Sequence, residues 1–253
     1  MLLDFSHYQL LSIALVFIWT GFVRTGLGFG GAALGLPLML FVQNKPLLWL
    51  PIISVHLLFF SGLTLINRLH NVDWHYLRRS SLYIFPPAII GVFGLLNLPT
   101  LWLNSFFYSV TLFYGLTWLF NRGIESHHVW ADRGLLMLGG YIAGISLSGA
   151  PLMVAVYMRN VSRHQLRDTL FVLWFILVSI KMTTFIALSV DLHFEAALTL
   201  LPIAAIGHVL GLKAHNAIMR NNLLFKRCIG GGLVVVSVLG LGYLYSQQIL
   251  GYF

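Results

Sequence analysis

The sequence predicts an all-α polytopic membrane protein made of two inverted repeats, each with a broken, re-entrant helical hairpin and three transmembrane helices. The prediction depends on composition, on the length of the apolar segments and on internal repetition. Of the 253 residues, 58% are hydrophobic and 9% are charged, whereas a soluble domain carries about 25% charged residues. So apolar a chain cannot cover its surface with polar groups, and we expect lipid around it. A soluble nucleic-acid-binding protein is therefore excluded, despite a net charge of +8.

Eight apolar segments, most of them near the length of a membrane-spanning helix, divide the chain. They lie at 10–42, 46–66, 80–97, 101–120, 134–158, 169–190, 195–212 and 228–246. A helix needs about 20 residues to cross the hydrocarbon layer, but the first segment would form a straight helix of about 50 Å. Glycines interrupt it at 26–31, so we predict two half-helices joined at that break. The fifth segment is predicted to break in the same way around 144–151.

Three sequence blocks of the first half recur, in the same order, in the second half. Residues 21–31 match 140–150 at an offset of 119, residues 71–76 match 189–194 at 118, and residues 86–91 match 202–207 at 116. Each match is short, but their common order and nearly constant offset indicate a duplication. We therefore predict a first membrane repeat at 1–125 and a second at 126–253.

The distribution of basic residues predicts the orientation of the two repeats. If the fifth segment enters and leaves by one face, twelve Lys and Arg residues of the loops fall on one side and Lys45 alone on the other. This is the excess that cytoplasmic loops carry, so the loops near 67–79, 121–133, 159–168 and 213–227 are predicted to be cytoplasmic. The matched blocks then lie on opposite faces, and inverted repeats with broken helices are typical of secondary transporters.

Two cations are predicted to lie deep in the membrane: Arg24, before the first break, and Lys181, near the middle of the sixth segment. All seven acidic residues fall in tails, loops or helix ends, so a transported anion is the expected counter-ion. Helix N-termini and hydroxyl groups at the breaks would add donors. Two alternatives stay open: Arg24 bonds to carbonyls exposed at the break, and Lys181 reaches an interface. The predicted substrate-binding residues are Arg24, Thr25, Gly28, Gly30, Gly31, Ser146, Ser148, Gly149 and Lys181.

Two histidines, His56 and His208, lie inside apolar segments. Each is interpreted either as a hydrogen-bonded packing residue or as a proton-coupling group, because histidine titrates near physiological pH. No histidine spacing typical of a metal site is found, and the single cysteine, Cys228, excludes an internal disulfide. We expect no cofactor and no metal, with H⁺ or Na⁺ as candidate coupling ions. The expected partners are a small anion and membrane lipid; nucleic acid is not expected, and a homo-oligomer stays open.

Three motifs of this chain resemble those of the sulfite exporter TauE/SafE family. They are the glycine-rich run 26–31 followed by Pro37, its counterpart 148–151, in which Ser148 replaces a glycine, and the run Arg-Leu-His-Asn-Val-Asp-Trp at 68–74. The resemblance covers nearly the whole chain. It implies transport of sulfite, organosulfonates or related small anions across a prokaryotic plasma (inner) membrane. The resemblance assigns no ligand residues, so the predicted site is derived from the two deep cations and the absence of deep acids.

The leading hypothesis is a secondary transporter, and specifically an exporter, of a small anion such as sulfite, an organosulfonate or a related organic acid. Access would alternate around a midplane site between the two broken helices, and the protein would not be an enzyme. The competing hypothesis is an intramembrane serine protease of the rhomboid type, with Ser148 as nucleophile and His208 as base. Rhomboid proteases have a glycine at the position of Ser146, and a protease function would account for neither the duplication nor a deeply placed Lys181. An anion channel is a further alternative.

Overall fold

The structure, a computed structural model, describes residues 5–27, 31–124, 128–220 and 222–250. Within these residues the chain forms ten α-helices, one 3₁₀ turn at Leu69–Asn71 and no strand. The helices are α1 (His7–Leu27), α2 (Gly31–Val42), α3 (Pro46–Leu65), α4 (Trp74–Asn97), α5 (Thr100–Leu119), α6 (Val129–Ser146), α7 (Ala150–Asn160), α8 (Arg163–Ala187), α9 (Phe194–Arg220) and α10 (Asn222–Leu250).

Six of these helices, namely α1, α3, α4, α8, α9 and α10, are long and apolar enough to cross a membrane. Lipid offers no hydrogen bonds to exposed backbone groups, and a helix satisfies those groups within its own segment. The predicted all-α polytopic class is therefore confirmed. Helices α2 and α7 have 12 and 11 residues and are too short to span the hydrocarbon layer.

Both predicted breaks are present, and each separates the two arms of a hairpin. Helix α1 ends at Leu27 before α2 begins at Gly31, and α6 ends at Ser146 before α7 begins at Ala150. The Gln9 amide near the start of α1 donates to the Val42 carbonyl at the end of α2, at 3.4 Å. In the second hairpin, Asp132 in the first turn of α6 accepts a 3.1 Å hydrogen bond from Arg159, near the end of α7. In both hairpins the second arm therefore returns to the end at which the first arm begins.

The chain divides into two compact units. Unit 1 contains residues 1–49, 98–123 and 198–253, and unit 2 contains residues 50–97 and 124–197. Each unit draws helices from both halves of the sequence, so the units are not the predicted repeats. The boundary predicted between 125 and 126 concerns sequence equivalence, which these spatial units do not test, and it stays a prediction.

Within unit 2, α4 and α6 pack with their backbones in direct contact. Gly140 lies against the backbone of Ile84 and Gly144 against the backbone of Ala88, so neither position has room for a side chain. Lipid tails are as apolar as leucine, and close packing of small residues therefore replaces the hydrophobic effect in holding membrane helices together. Beside this contact, α8 and α7 contribute Leu173, Tyr157 and other residues to a buried core.

Within unit 1, α1 and α9 pack in the same manner. Gly21 lies against the carbonyl of Ala204, and Gly207 lies against the carbonyl of Ile18. Helices α1 and α9 are the sequence counterparts of α6 and α4 under the proposed duplication. Both units thus contain the same pairing of equivalent helices, which is the arrangement that a duplicated chain would produce.

Candidate functional site

The first break gathers a cluster of polar residues in unit 1, which we call the Arg24 cluster: Arg24, Thr25, Gly31 and His208. Arg24 and Thr25 lie in the last turn of α1 and are 8% and 5% exposed. The Thr25 hydroxyl is hydrogen-bonded to Nδ1 of His208 on α9, with 2.6 Å between the two atoms. Gly31 begins α2 so close to α1 that a Cβ there would lie 2.9 Å from the Cβ of Arg24. The predicted residues Gly28 and Gly30 lie outside the described residues.

The Arg24 cluster contains three kinds of group that recognise oxyanions. A guanidinium presents a planar fork of donors that matches an oxyanion, and a hydroxyl can donate or accept. The first N–H groups of α2, which begins at Gly31, have no partner within their own helix. Arg24 also lies in the last turn of α1, where a cation interacts favourably with the helix dipole. The interaction of Arg24 with the dipole of α1 agrees with the alternative in which Arg24 stabilises the break itself.

The second break, in unit 2, holds Ser146, Ser148 and Gly149. The Ser146 hydroxyl donates to the carbonyl of Ile142 at 2.9 Å, and the Ser148 hydroxyl donates to the carbonyl of Ser146 at 3.2 Å. Both protons are thus engaged, so either serine would have to exchange a bond before donating to an anion. Gly149 lies against the carbonyl of Gly139 and leaves no room for a side chain. The donors most directly available at this break are therefore the first N–H groups of α7.

The turn of the second break contains a strained residue that the sequence pattern did not indicate. Leu147 ends α6 in the left-handed conformation, at φ 61°. This conformation is uncommon for a residue with a side chain and costs of order 1–3 kcal/mol. Its N–H donates to the Ala143 carbonyl and closes the last turn of α6. Leu147 therefore sets the point at which α6 stops.

Lys181 lies on α8 in unit 2 and is 1% exposed. Its ammonium nitrogen has no hydrogen-bond partner among the described residues. The neighbouring positions Val178, Met182 and Phe185 on α8 are buried apolar side chains. Enclosure to this degree disfavours the alternative in which Lys181 extends to an interface. A buried ammonium is costly unless it meets a charge or a ring of acceptors.

His56 has a partner that explains its burial. Its Nε2 lies 2.7 Å from the carbonyl oxygen of Ala197, and because a carbonyl only accepts, Nε2 donates in this bond. The residue is 3% exposed, which fits the packing interpretation. His208 differs, since its partner, the Thr25 hydroxyl, both donates and accepts. The bond to Thr25 therefore does not fix which ring nitrogen of His208 carries the proton.

Comparison with known families decides the class of the protein. The model of the family described as Sulfite exporter TauE/SafE matches residues 13–241, nearly the whole chain. The chain belongs to the TauE/SafE family. It is therefore a multi-pass plasma-membrane protein of a transporter family and not of an enzyme family. No curated protein and no solved structure matches it.

TauE/SafE is a transporter family, so membership in it does not favour the serine-protease alternative. Within unit 2 the Ser148 hydroxyl donates to the Ser146 carbonyl, and within unit 1 His208 Nδ1 is bonded to Thr25. Among the described residues, no group of three or more His, Cys, Asp or Glu side chains is placed to hold a metal ion.

The run 68–74, which carries part of the TauE/SafE resemblance, has a structural role that the sequence analysis did not assign. The Asn71 amide donates to Asp168 at 2.7 Å and to the His164 carbonyl at 2.8 Å, both on α8. Asp73 accepts a bond of 2.9 Å from the N–H of Tyr76 in the first turn of α4. This run therefore fastens the α3–α4 connection to α8 and starts α4. An Asp immediately before a helix is a sequence signal for an N-terminal cap, and it could have indicated the role of Asp73.

Proposed function

We propose that this TauE/SafE protein is a secondary transporter that exports a small oxyanion, such as sulfite, an organosulfonate or a related organic acid. The observation that carries the proposal is the burial of Lys181 with no hydrogen-bond partner for its ammonium among the described residues. A fixed structural partner would be expected if the charge served stability alone. A substrate that brings its own negative charge supplies the missing partner during transport.

The single acid on the helix that carries Lys181 is too distant to neutralise it. Asp168, the acid on α8, precedes Lys181 by 13 residues, which corresponds to a rise of about 20 Å. Asp168 is already bonded to Asn71 and lies 3.6 Å from Arg68. The other carboxylates among the described residues lie in loops or first helical turns: Asp73, Asp132, Asp191 and Glu195. This distribution supports an anion rather than a cation as the substrate.

The Arg24 cluster is proposed to contact the same class of anion. Its guanidinium, the Thr25 hydroxyl and the N–H groups at the start of α2 offer donors of the kind that sulfur and carboxyl oxyanions accept. At the second break, the N–H groups at the start of α7 are proposed to act in the same way. Gly31, Ser146, Ser148 and Gly149 then shape the two breaks rather than donate from side chains.

We further propose that transport proceeds by alternating access. Transporters with inverted repeats bind substrate near the bilayer midplane on broken helices and move one repeat against the other. Both units of this protein contain a broken hairpin and the same pairing of equivalent helices, which supports that mechanism. Coupling to H⁺ through His208, or to Na⁺ through carbonyls at the breaks, is part of the proposal.

Transport by purified protein in liposomes tests this proposal. Labelled sulfite, taurine and small carboxylates are offered to wild type, Lys181→Met and Lys45→Met, with imposed H⁺ or Na⁺ gradients. Lys45→Met is the matched control because Lys45 lies exposed between α2 and α3. We expect saturable transport of at least one anion, unchanged in Lys45→Met and reduced about tenfold or more in Lys181→Met, as loss of a charge-assisted interaction predicts.

Two results would contradict the proposal. If wild type melts cooperatively but moves no anion of the panel, the substrate class is wrong. If Lys181→Met transports like wild type, Lys181 is not the counter-ion. Single-channel currents in planar bilayers, with a flux that does not saturate, would instead indicate the anion-channel alternative.

A further inference from the structure

Unit 2 contains a cavity that was not predicted from the sequence and whose lining residues do not include Lys181. Its volume is about 160 Å³, and it opens between the first turns of α4 and α6, beside the end of α7. The side chains that matter here are Tyr76, Arg79 and Tyr83 on α4, Asp132 and Arg133 on α6, and Asn160 on α7. These helix ends adjoin the loops 67–79, 121–133 and 159–168, which the charge pattern predicts to be cytoplasmic.

The cavity lies near the N-terminal ends of α4 and α6, before the glycine contact between the two helices. Gly140 and Gly144 hold the two backbones together at Ile84 and Ala88. Earlier along both helices, the residues that line the cavity include large side chains, among them Tyr76 on α4 and Arg133 on α6. Backbones that carry such side chains cannot approach as closely as backbones that meet at glycine. Space is therefore left between the helix ends, and polar groups line it.

The charges of this cavity are unbalanced in favour of cations. Asp132, the acid among the lining residues, already accepts bonds from Arg159 at 3.1 Å and from Asn160 at 3.3 Å. Arg133 stacks over the ring of Trp130, 4.6 Å from its centroid, and pairs with no carboxylate among the described residues. Arg79 is exposed at the cavity and likewise has no ion-pair partner in the described part of the chain. Two guanidinium groups thus line the cavity without a carboxylate of their own.

From this geometry we infer that the cavity between α4 and α6 is a second anion-binding site, which takes a small oxyanion between Arg79 and Arg133. Guanidinium groups bind oxyanions through paired, charge-assisted hydrogen bonds. Tyr76 and Tyr83 line the same space, and their hydroxyl groups add donors. A volume of about 160 Å³ holds several water molecules or one such ion, but it is smaller than the pockets of about 300 Å³ or more that hold drug-sized ligands.

A small oxyanion can reach this cavity from two sources. One is a free ion such as sulfate or sulfite, and the other is the phosphate of an anionic lipid headgroup. Both present the same oxygens to Arg79 and Arg133. The site requires no assumption about transport, although an anion that is exported from the cytoplasm would arrive at this face.

Tryptophan fluorescence of the purified protein in detergent tests the site, because Trp130 touches Arg133. Wild type is titrated with sodium sulfate at constant ionic strength, and separately with short-chain phosphatidylglycerol. The same titrations are made on the double variant Arg79→Gln/Arg133→Gln, on Trp130→Phe and on Lys181→Met. Lys181→Met separates this site from the proposed transport site, and Trp130→Phe identifies the reporter.

We expect a saturable fluorescence change in wild type and in Lys181→Met, no change in Trp130→Phe, and binding weaker by about tenfold or more in the double variant. A response to sulfate identifies a free ion as the ligand, and a response to phosphatidylglycerol alone identifies a lipid headgroup. The inference is overturned if neither ligand changes the fluorescence of wild type, or if the double variant binds as tightly as wild type. Loss of the signal in Lys181→Met would also overturn it, by assigning the anion to the other site.

Discussion

Substitution of Gly144 by alanine is expected to separate the helices that hold unit 2 together. A Cβ at residue 144 would lie 2.9 Å from the carbonyl carbon and 3.0 Å from the Cα of Ala88, and closer still to its carbonyl oxygen. Nonbonded carbons pack best at about 3.5–4.0 Å. The obstacle is backbone, which cannot rotate away as a flexible side chain can. Helices α4 and α6 must therefore move apart by about 0.5–1 Å.

The cost of that movement follows from the lost contacts. A gap of about 0.5–1 Å forfeits a quarter to a half of the attraction of each affected atom pair, and overpacking of a closed interface typically costs about 1–3 kcal/mol. For a chain of this size, 1 kcal/mol lowers the melting temperature by about 2–4 °C. We therefore expect Gly144→Ala to melt about 2–12 °C below wild type.

Thermal unfolding of the purified protein in detergent measures this shift, and the same helix supplies the control. Gly134 also lies on α6, but a Cβ there would meet nothing within 4 Å. Gly134→Ala is expected to be neutral or to stabilise the protein by up to about 1 kcal/mol, because alanine favours the helical backbone. The reasoning is refuted if Gly144→Ala melts at or above the temperature of Gly134→Ala.

Two further substitutions test the contacts around the break and around the α3–α4 connection. Thr25→Val removes the hydroxyl bonded to His208 and should destabilise the protein by about 1–3 kcal/mol. Thr25→Ser keeps the hydroxyl and should melt near wild type. Equal losses of stability in both variants would show that the methyl group matters instead. Asn71→Ala removes both bonds to α8 and should speed amide hydrogen exchange at 69–74. Asn97→Ala, which loses only a bond to its own helix, should leave that exchange unchanged. Equal exchange rates in both variants would contradict the role of Asn71 in attaching the α3–α4 connection to α8.

The class of the protein and its helical breaks were readable from the sequence because both depend on local properties. Apolar segments of about 20 residues can satisfy their backbone groups in lipid only as helices. The glycine cluster at 26–31 and the run at 144–151, which contains two glycines and a proline, weaken a helix wherever such residues occur, and breaks are found at both places. The burial of Lys181 was also predictable, since its position along an apolar segment requires no knowledge of its neighbours. The inverted repeat stays a prediction.

The partners of these residues were not predictable, because they depend on contacts between helices that are distant in sequence. Thr25 and His208 were predicted separately, but only packing of α9 against α1 places their side chains 2.6 Å apart. The bonds from Asn71 to α8 likewise join segments that are more than 90 residues apart in the chain. The cavity lined by Arg79 and Arg133 depends on how α4 and α6 pack at the ends that precede their glycine contact. The lengths of the apolar segments and the positions of the glycines therefore determined the membrane helices and their breaks. The tertiary structure decided which polar groups meet, because helix packing sets distances that local sequence does not encode.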